Sequence, residues 1–154
     1  MALKNKVPDS SAEAAYLACI RLLGRREYSK AELMRKLKGR FTREAASEGL
    51  RRCVAEGAQS DERFAQMLVR HAVSAHLGPQ RLRLEAVKRC FDPDALEPYM
   101  DEVDFDAIAL EYLKSHYQDT DASDFKTAQK MKSALYRRGF ELETCIYAVE
   151  QFSS

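Results

Sequence analysis

The chain has 154 residues, of which 45% are hydrophobic, and its 25 Lys and Arg nearly balance 24 Asp and Glu. That balance excludes a disordered polyelectrolyte, and no apolar run approaches the roughly 18 residues a membrane-spanning helix needs. With only six Gly, four Pro and no Trp, turn punctuation is sparse and helices are favoured over many short strands.

In chain order, Met1 to Ser11 lacks an apolar core followed by small residues, so no secretory signal is read there and a cytoplasmic location is expected. A first helix is expected near 11–25, where Tyr16, Cys19, Ile20 and Leu23 fall on one helical face behind a Ser10-x-x-Glu13 capping box. A second, near 30–39, follows Ser29-x-x-Glu32, and a third is expected near 43–56. Ser60-Asp61 caps a fourth near 61–77, which carries Phe64, Met67 and Leu68. Gly78-Pro79 opens a fifth near 79–90, and Asp92-Pro93 a sixth near 93–103. The seventh, near 104–117, has Phe105, Ile108, Ala109 and Tyr112 on one face, with Asp104 and Asp106 as charge at its N-terminus. The last two are expected near 124–138 and 141–152.

These helices repeat. Leu33, Leu82 and Met131 stand 49 residues apart twice over, as do Leu37, Ala86 and Leu135, and Arg40, Arg89 and Arg138. A phenylalanine follows each arginine closely, at Phe41, Phe91 and Phe140. The third helices then align through Ala46, Leu96 and Cys145, and through Leu50, Met100 and Val149. The expected architecture is all-α: three tandem three-helix repeats over 1–57 (with a short flexible N-terminus), 58–103 and 104–154. One such unit has a marginal core alone, whereas tandem units bury their ends and form an elongated, curved rod.

Charge follows the same repeat. Residues 1–57 carry a net +6, while 58–103 carry −2 and 104–154 carry −3. The basic residues gather on the second helix of each repeat, where only Glu32, Glu85 and Asp124 oppose them. Cations near helix C-termini account for Arg40, Arg89 and Arg138. Nine of the others form an expected basic ridge for a partner or nucleic acid: Arg35, Lys36, Lys38, Arg81, Arg83, Lys88, Lys130, Lys132 and Arg137.

Nothing in the sequence asks for a catalytic, metal or cofactor site. His71 and His76 are five apart with no glutamate between them, which is not a helical zinc pair. There is no glycine-rich phosphate loop and no GxSxG. Cys19, Cys53, Cys90 and Cys145 form no CxxC pair and are expected to be small buried hydrophobes in a reducing compartment.

Four stretches in order resemble the RecX family. They are Arg26-Glu-Tyr-Ser-Lys-Ala-Glu-Leu33 followed by Lys36-Leu37, Ser60-Asp-Glu-Arg-Phe-Ala65, Gly78-Pro-Gln-Arg-Leu-Arg-Leu-Glu85, and Arg137-Arg-Gly-Phe140. One departure is at Ala86 to Cys90, where Cys90 stands in place of a helix-ending glycine and the turn before Phe91 is expected to be built differently. The resemblance implies three tandem three-helix repeats that bind the RecA filament on single-stranded DNA. It also implies reduced RecA ATPase, strand exchange and co-protease activity, with consequences for recombination, DNA repair and the SOS response, and no reaction catalysed by the chain itself. A monomer without membrane attachment is expected, with weak direct DNA binding allowed for. A helix-turn-helix-like DNA-binding regulator acting without RecA, or an adaptor for another protein, stays open as an alternative. The near-neutral total charge and the scarcity of Asn and Gln on the middle helices weigh against the former.

Overall fold

The computed structural model describes residues 7–154; residues 1–6 of the N-terminal stretch expected to be flexible lie outside the described residues. The described chain is helical throughout: α1 (Ala12–Leu23), α2 (Lys30–Leu37), α3 (Arg43–Ala55), α4 (Asp61–Ser74), α5 (Pro79–Lys88), a 3-10 turn (Pro93–Leu96), α6 (Glu97–Met100), α7 (Phe105–His116), α8 (Phe125–Arg137) and α9 (Leu142–Ser153).

The helices start where short polar side chains can receive their first free amides. Ser29 Oγ accepts the Glu32 amide, Thr42 the Ala45 amide, Ser60 the Arg63 amide, Asp104 the Ala107 amide and Asp124 the Thr127 amide. Three local expectations differ. Ser11, not Ser10, caps α1, receiving the Ala14 amide. Glu32 does not reach back to Ser29; its carboxylate is held by Arg89. The single helix expected near 93–103 is a 3-10 turn joined to a one-turn α6, because Pro93 and Pro98 supply no amide donors to a longer ladder.

The chain divides into two compact units, Met1–Phe64 with Arg89–Phe91, and Ala65–Lys88 with Asp92–Ser154. In the first, α1 packs along α3 and α2 lies against both. Gly49 lets α1 and α3 approach, since a Cβ there would stand 2.7 Å from the Tyr16 nitrogen. Cys19, Leu33, Leu37 and Cys53 fill the core between them. In the second unit α9 packs on α7 and α8 over Met131, Leu135, Phe140, Cys145 and Val149. The apolar columns of the 49-residue register are buried except at Phe41, which is half-buried, whereas in the arginine column Arg40 is exposed and Arg89 and Arg138 are half-buried, so the apolar part of the period marks core positions.

The aligned arginines behave differently from simple cations at helix ends. In the first unit the Arg89 guanidinium donates to the Glu27 carbonyl at 2.6 Å and grips Glu32 at 2.9 and 3.2 Å, while stacking over Phe64. In the second, Arg138 donates to the carbonyls of Ala75 and His76 and stacks over Tyr112. Glu27 and His76 are themselves 49 residues apart, so the same carbonyl is read in both units. The arginine's own carbonyl is also received by an earlier segment: Arg89 by Ser29 Oγ, Arg138 by the Gly78 amide, and Arg40 by the Asp9 amide. Asp9 thus takes toward Arg40 the place that Ser29 takes toward Arg89 and Gly78 toward Arg138.

At Cys90 the backbone keeps a glycine's conformation, while its hydrogen bonds differ from those of the matching turn: there the Phe140 amide bonds the Leu135 carbonyl, and the Arg89 carbonyl is received by a hydroxyl where that of Arg138 is received by an amide. Cys90 adopts φ 57°, the left-handed conformation that Gly139 holds at φ 95° at the matching position. Cys90 is also half-buried, unlike Cys19, Cys53 and Cys145, so the expectation of four buried cysteines fails there.

Two stability measurements follow from these contacts. Left-handed backbone costs an L-residue about 1–2 kcal/mol, so Cys90→Gly is expected to stabilise the chain by about 1 kcal/mol in urea unfolding, after the extra unfolded-state entropy of glycine is subtracted; destabilisation would show that the Cys90 side chain matters more than its backbone. Arg89→Met leaves Glu32, which is 7% exposed, with only the Arg26 guanidinium at 3.9 Å, and should cost about 3–5 kcal/mol. Arg138→Met leaves two neutral carbonyls and should cost about 1–3 kcal/mol; equal losses would show that the buried carboxylate is not what sets Arg89 apart.

Candidate interaction surface

Of the nine cations expected to form a ridge, Arg35, Lys36, Lys38, Arg81, Lys88, Lys130 and Arg137 are exposed, while Arg83 and Lys132 are half-buried. Their freedom differs. At the end of α2, Lys36 and Lys38 form no ion pair among the described residues, and Arg35 reaches the Cys90 sulfur at 3.5 Å. On α5, Arg81 and Lys88 share one carboxylate, Glu85, at 3.4 and 3.7 Å. Arg83 is bound internally: it grips Glu97 at 2.9 and 3.1 Å and stands 4.0 Å from Glu141. Its expected place on a free ridge is therefore taken by a structural role.

On α8 the three expected cations carry no carboxylate partner among the described residues. Lys130 and Arg137 are seven residues apart, two turns along one face, and they line a shallow groove with Tyr117, Gln129 and Ser133. Lys132 lines an adjoining groove with Tyr136, Arg137 and Leu142. A third groove brings Arg81 of α5 to Arg137 of α8 and is floored by Leu84, Tyr136 and Leu142. The second unit therefore gathers Arg81, Lys132 and Arg137 into one connected surface. Arg35, Lys36 and Lys38 belong to the first unit.

Sequence reasoning missed the apolar part of this surface. Leu84 is 58% exposed, Tyr136 65% and Leu142 62%. The available signal was helical phase: Leu135 takes the core position of α8, so its neighbour Tyr136 must turn outward.

The remaining reactive groups are held in inert settings. Burial pushes the Cys19 thiol up to about 12 and raises Cys53 and Cys145 in the same direction, so none is a ready nucleophile at neutral pH. His76 sits 3.5 Å from Glu111 in a left-handed turn, and His71 and His116 are exposed. Among the described residues, no group of three or more His, Cys, Asp or Glu is placed to hold a metal ion, and no helix is long and apolar enough to cross a membrane. What the surface offers is recognition by charge and apolar contact.

Known proteins carry a similar sequence and a similar fold. Residues 15–53 match the family description "RecX, first three-helix domain". The regulatory protein RecX of Xanthomonas campestris pv. campestris (strain B100) is 37% identical over 123 residues, 78% of this chain and 76% of that protein. That of Legionella pneumophila (strain Corby) is 31% identical over 130 residues, 82% and 87% of the two chains. The crystal structure of RecX from Lactobacillus salivarius superposes with a TM-score of 0.77 at 17% identity, covering 92% of this chain and 96% of that one. A second crystal structure of regulatory protein RecX superposes with a TM-score of 0.68 at 16% identity, covering 86% and 68%. These two share the all-α fold, and the closer sequence relatives fix the kinship: the chain belongs to the RecX family of regulatory proteins.

Proposed function

We propose that this chain is a cytoplasmic, non-enzymatic regulator that binds the RecA filament on single-stranded DNA as a monomer and lowers RecA ATPase, strand exchange and co-protease activity. The observation that carries this reading is membership of the RecX family over more than three quarters of the chain. The geometry supports it through cations that have no ion-pair partner among the described residues, Lys36 and Lys38 on one unit and Lys130, Lys132 and Arg137 on the other. Such exposed charges act on encounter with an acidic protein surface or DNA phosphates, and their effect weakens with salt. Two clusters on one chain also allow two filament contacts at once, so modest affinities multiply where the spacing fits. Weak direct binding to DNA follows from the same charges.

The test is RecA ATP hydrolysis on single-stranded DNA with this protein titrated in at fixed salt. Inhibition at well below one copy per RecA is expected; no effect up to saturation, with active RecA and DNA, sinks the proposal. Lys130→Glu with Arg137→Glu should raise the concentration needed for half-inhibition by about tenfold, equivalent to about 1.4 kcal/mol, with a smaller difference at high salt. Arg83→Glu is a poor probe of contact, because it places a third carboxylate beside Glu97 and Glu141 and should first lower the unfolding midpoint. Sequence-specific duplex binding in the absence of RecA would instead favour a DNA-binding regulator.

A further inference from the structure

We infer that the connected groove of α5, α8 and the start of α9 is a docking site for an acidic protein segment with an apolar anchor, carried by the RecA protomers of the filament; this deepens the function proposed above and rests on it. Three large apolar side chains, Leu84, Tyr136 and Leu142, are each more than half exposed and line one concavity. Water-exposed apolar groups gathered this way mark sites that are covered in use. The cations around them, Arg81, Lys132 and Arg137, set the charge of the occupant.

The same groove argues against nucleic acid as its occupant. Leu84 and Leu142 offer no aromatic face on which a base can stack, and Tyr136 alone does not make a platform for successive bases. Glu141 lines the groove and Glu85 sits on Arg81, placing negative charge where a phosphate backbone would run. A protein segment meets both conditions: an apolar side chain covers Leu84 and Leu142, and single carboxylates, unlike a continuous phosphate backbone, can be placed to reach Lys132 and Arg137. Tyr136 then supplies a rigid, half-polar contact of the kind that dominates protein interfaces.

The test variant is Leu84→Ala, Tyr136→Ala and Leu142→Ala together. All three residues are solvent-facing helix positions where alanine is well tolerated, and a thermal melt checks that the fold is kept. Binding is measured to RecA filaments assembled on a labelled oligothymidylate with a slowly hydrolysed ATP analogue, and to the same oligothymidylate without RecA. The variant is expected to lose about tenfold or more in affinity for the filament, and to bind the naked strand as the unsubstituted chain does. Unchanged filament affinity overturns the inference, and equal losses on filament and naked strand overturn it in favour of a nucleic-acid groove. If the unsubstituted chain itself fails to bind filaments, the proposed function falls and this inference with it; if it binds and the variant binds equally, only this inference falls.

Discussion

A guanidinium that reads the carbonyls of an earlier turn is the interaction on which each unit depends. A helix that ends in a left-handed residue, as α4 does at His76, leaves carbonyls facing outward with no amide to receive them. Arg138 fills both with its Nε and Nη2 donors and lays its flat face over Tyr112. Arg89 does the same for the turn before α2 and adds the buried carboxylate of Glu32. Only arginine presents several donors in one rigid plane, so lysine cannot make this contact. Close approach follows from it: a Cβ on Gly78 would fall 2.3 Å from the Gly139 carbonyl carbon, which leaves glycine alone at the point where the two turns meet.

The same chemistry sorts the cations by what they meet. Arg63, Arg83, Arg89 and Arg138 direct their forks to carboxylates or carbonyls of their own unit, and Arg52 does so at the surface. Among the described residues Lys36, Lys38, Lys130 and Lys132 have no such partner, and neither has Arg137. A lysine carries a compact hydrated charge on a mobile stem, suited to contacts that form and break with a partner. Counting Lys and Arg together places Arg83 on the ridge; separating them by geometry removes it.

Much of the fold was legible because it rests on local periodicity. The apolar face at Tyr16, Cys19 and Ile20, the cap at Ser29 and the 49-residue columns from Leu33 to Met131 depend on nearest neighbours along one helix, and each stands where the sequence places it. The sixth helix failed because two prolines within six residues, Pro93 and Pro98, outweigh its apolar positions. The backbone at Cys90 was hidden for the opposite reason: a cysteine stands in a glycine's conformation there, and its neighbours' contacts are distant in sequence. The candidate surface was legible only in its charges. Arg81 and Arg137 are 56 residues apart, and their joining in one groove depends on how α5 meets the turn after α8, which no helical period encodes. Leu84 and Leu142 read as ordinary apolar helix positions until their exposure is known.

Rigidity links these two levels. The buried face of α8, formed by Met131, Ala134 and Leu135, fixes the roll of the helix, and the Arg138 clamp fixes its C-terminal end. Lys130, Lys132, Tyr136 and Arg137 are therefore held outward by packing on one side and a hydrogen-bonded anchor at the end. A surface ordered before binding loses less conformational freedom when a partner arrives, so the arginine that makes no contact with solvent partners still sets how well its neighbours can. Disturbing the clamp should loosen the groove without removing any of its lining residues, which separates the role of Arg138 in shaping the surface from the role of Arg137 in meeting whatever binds there.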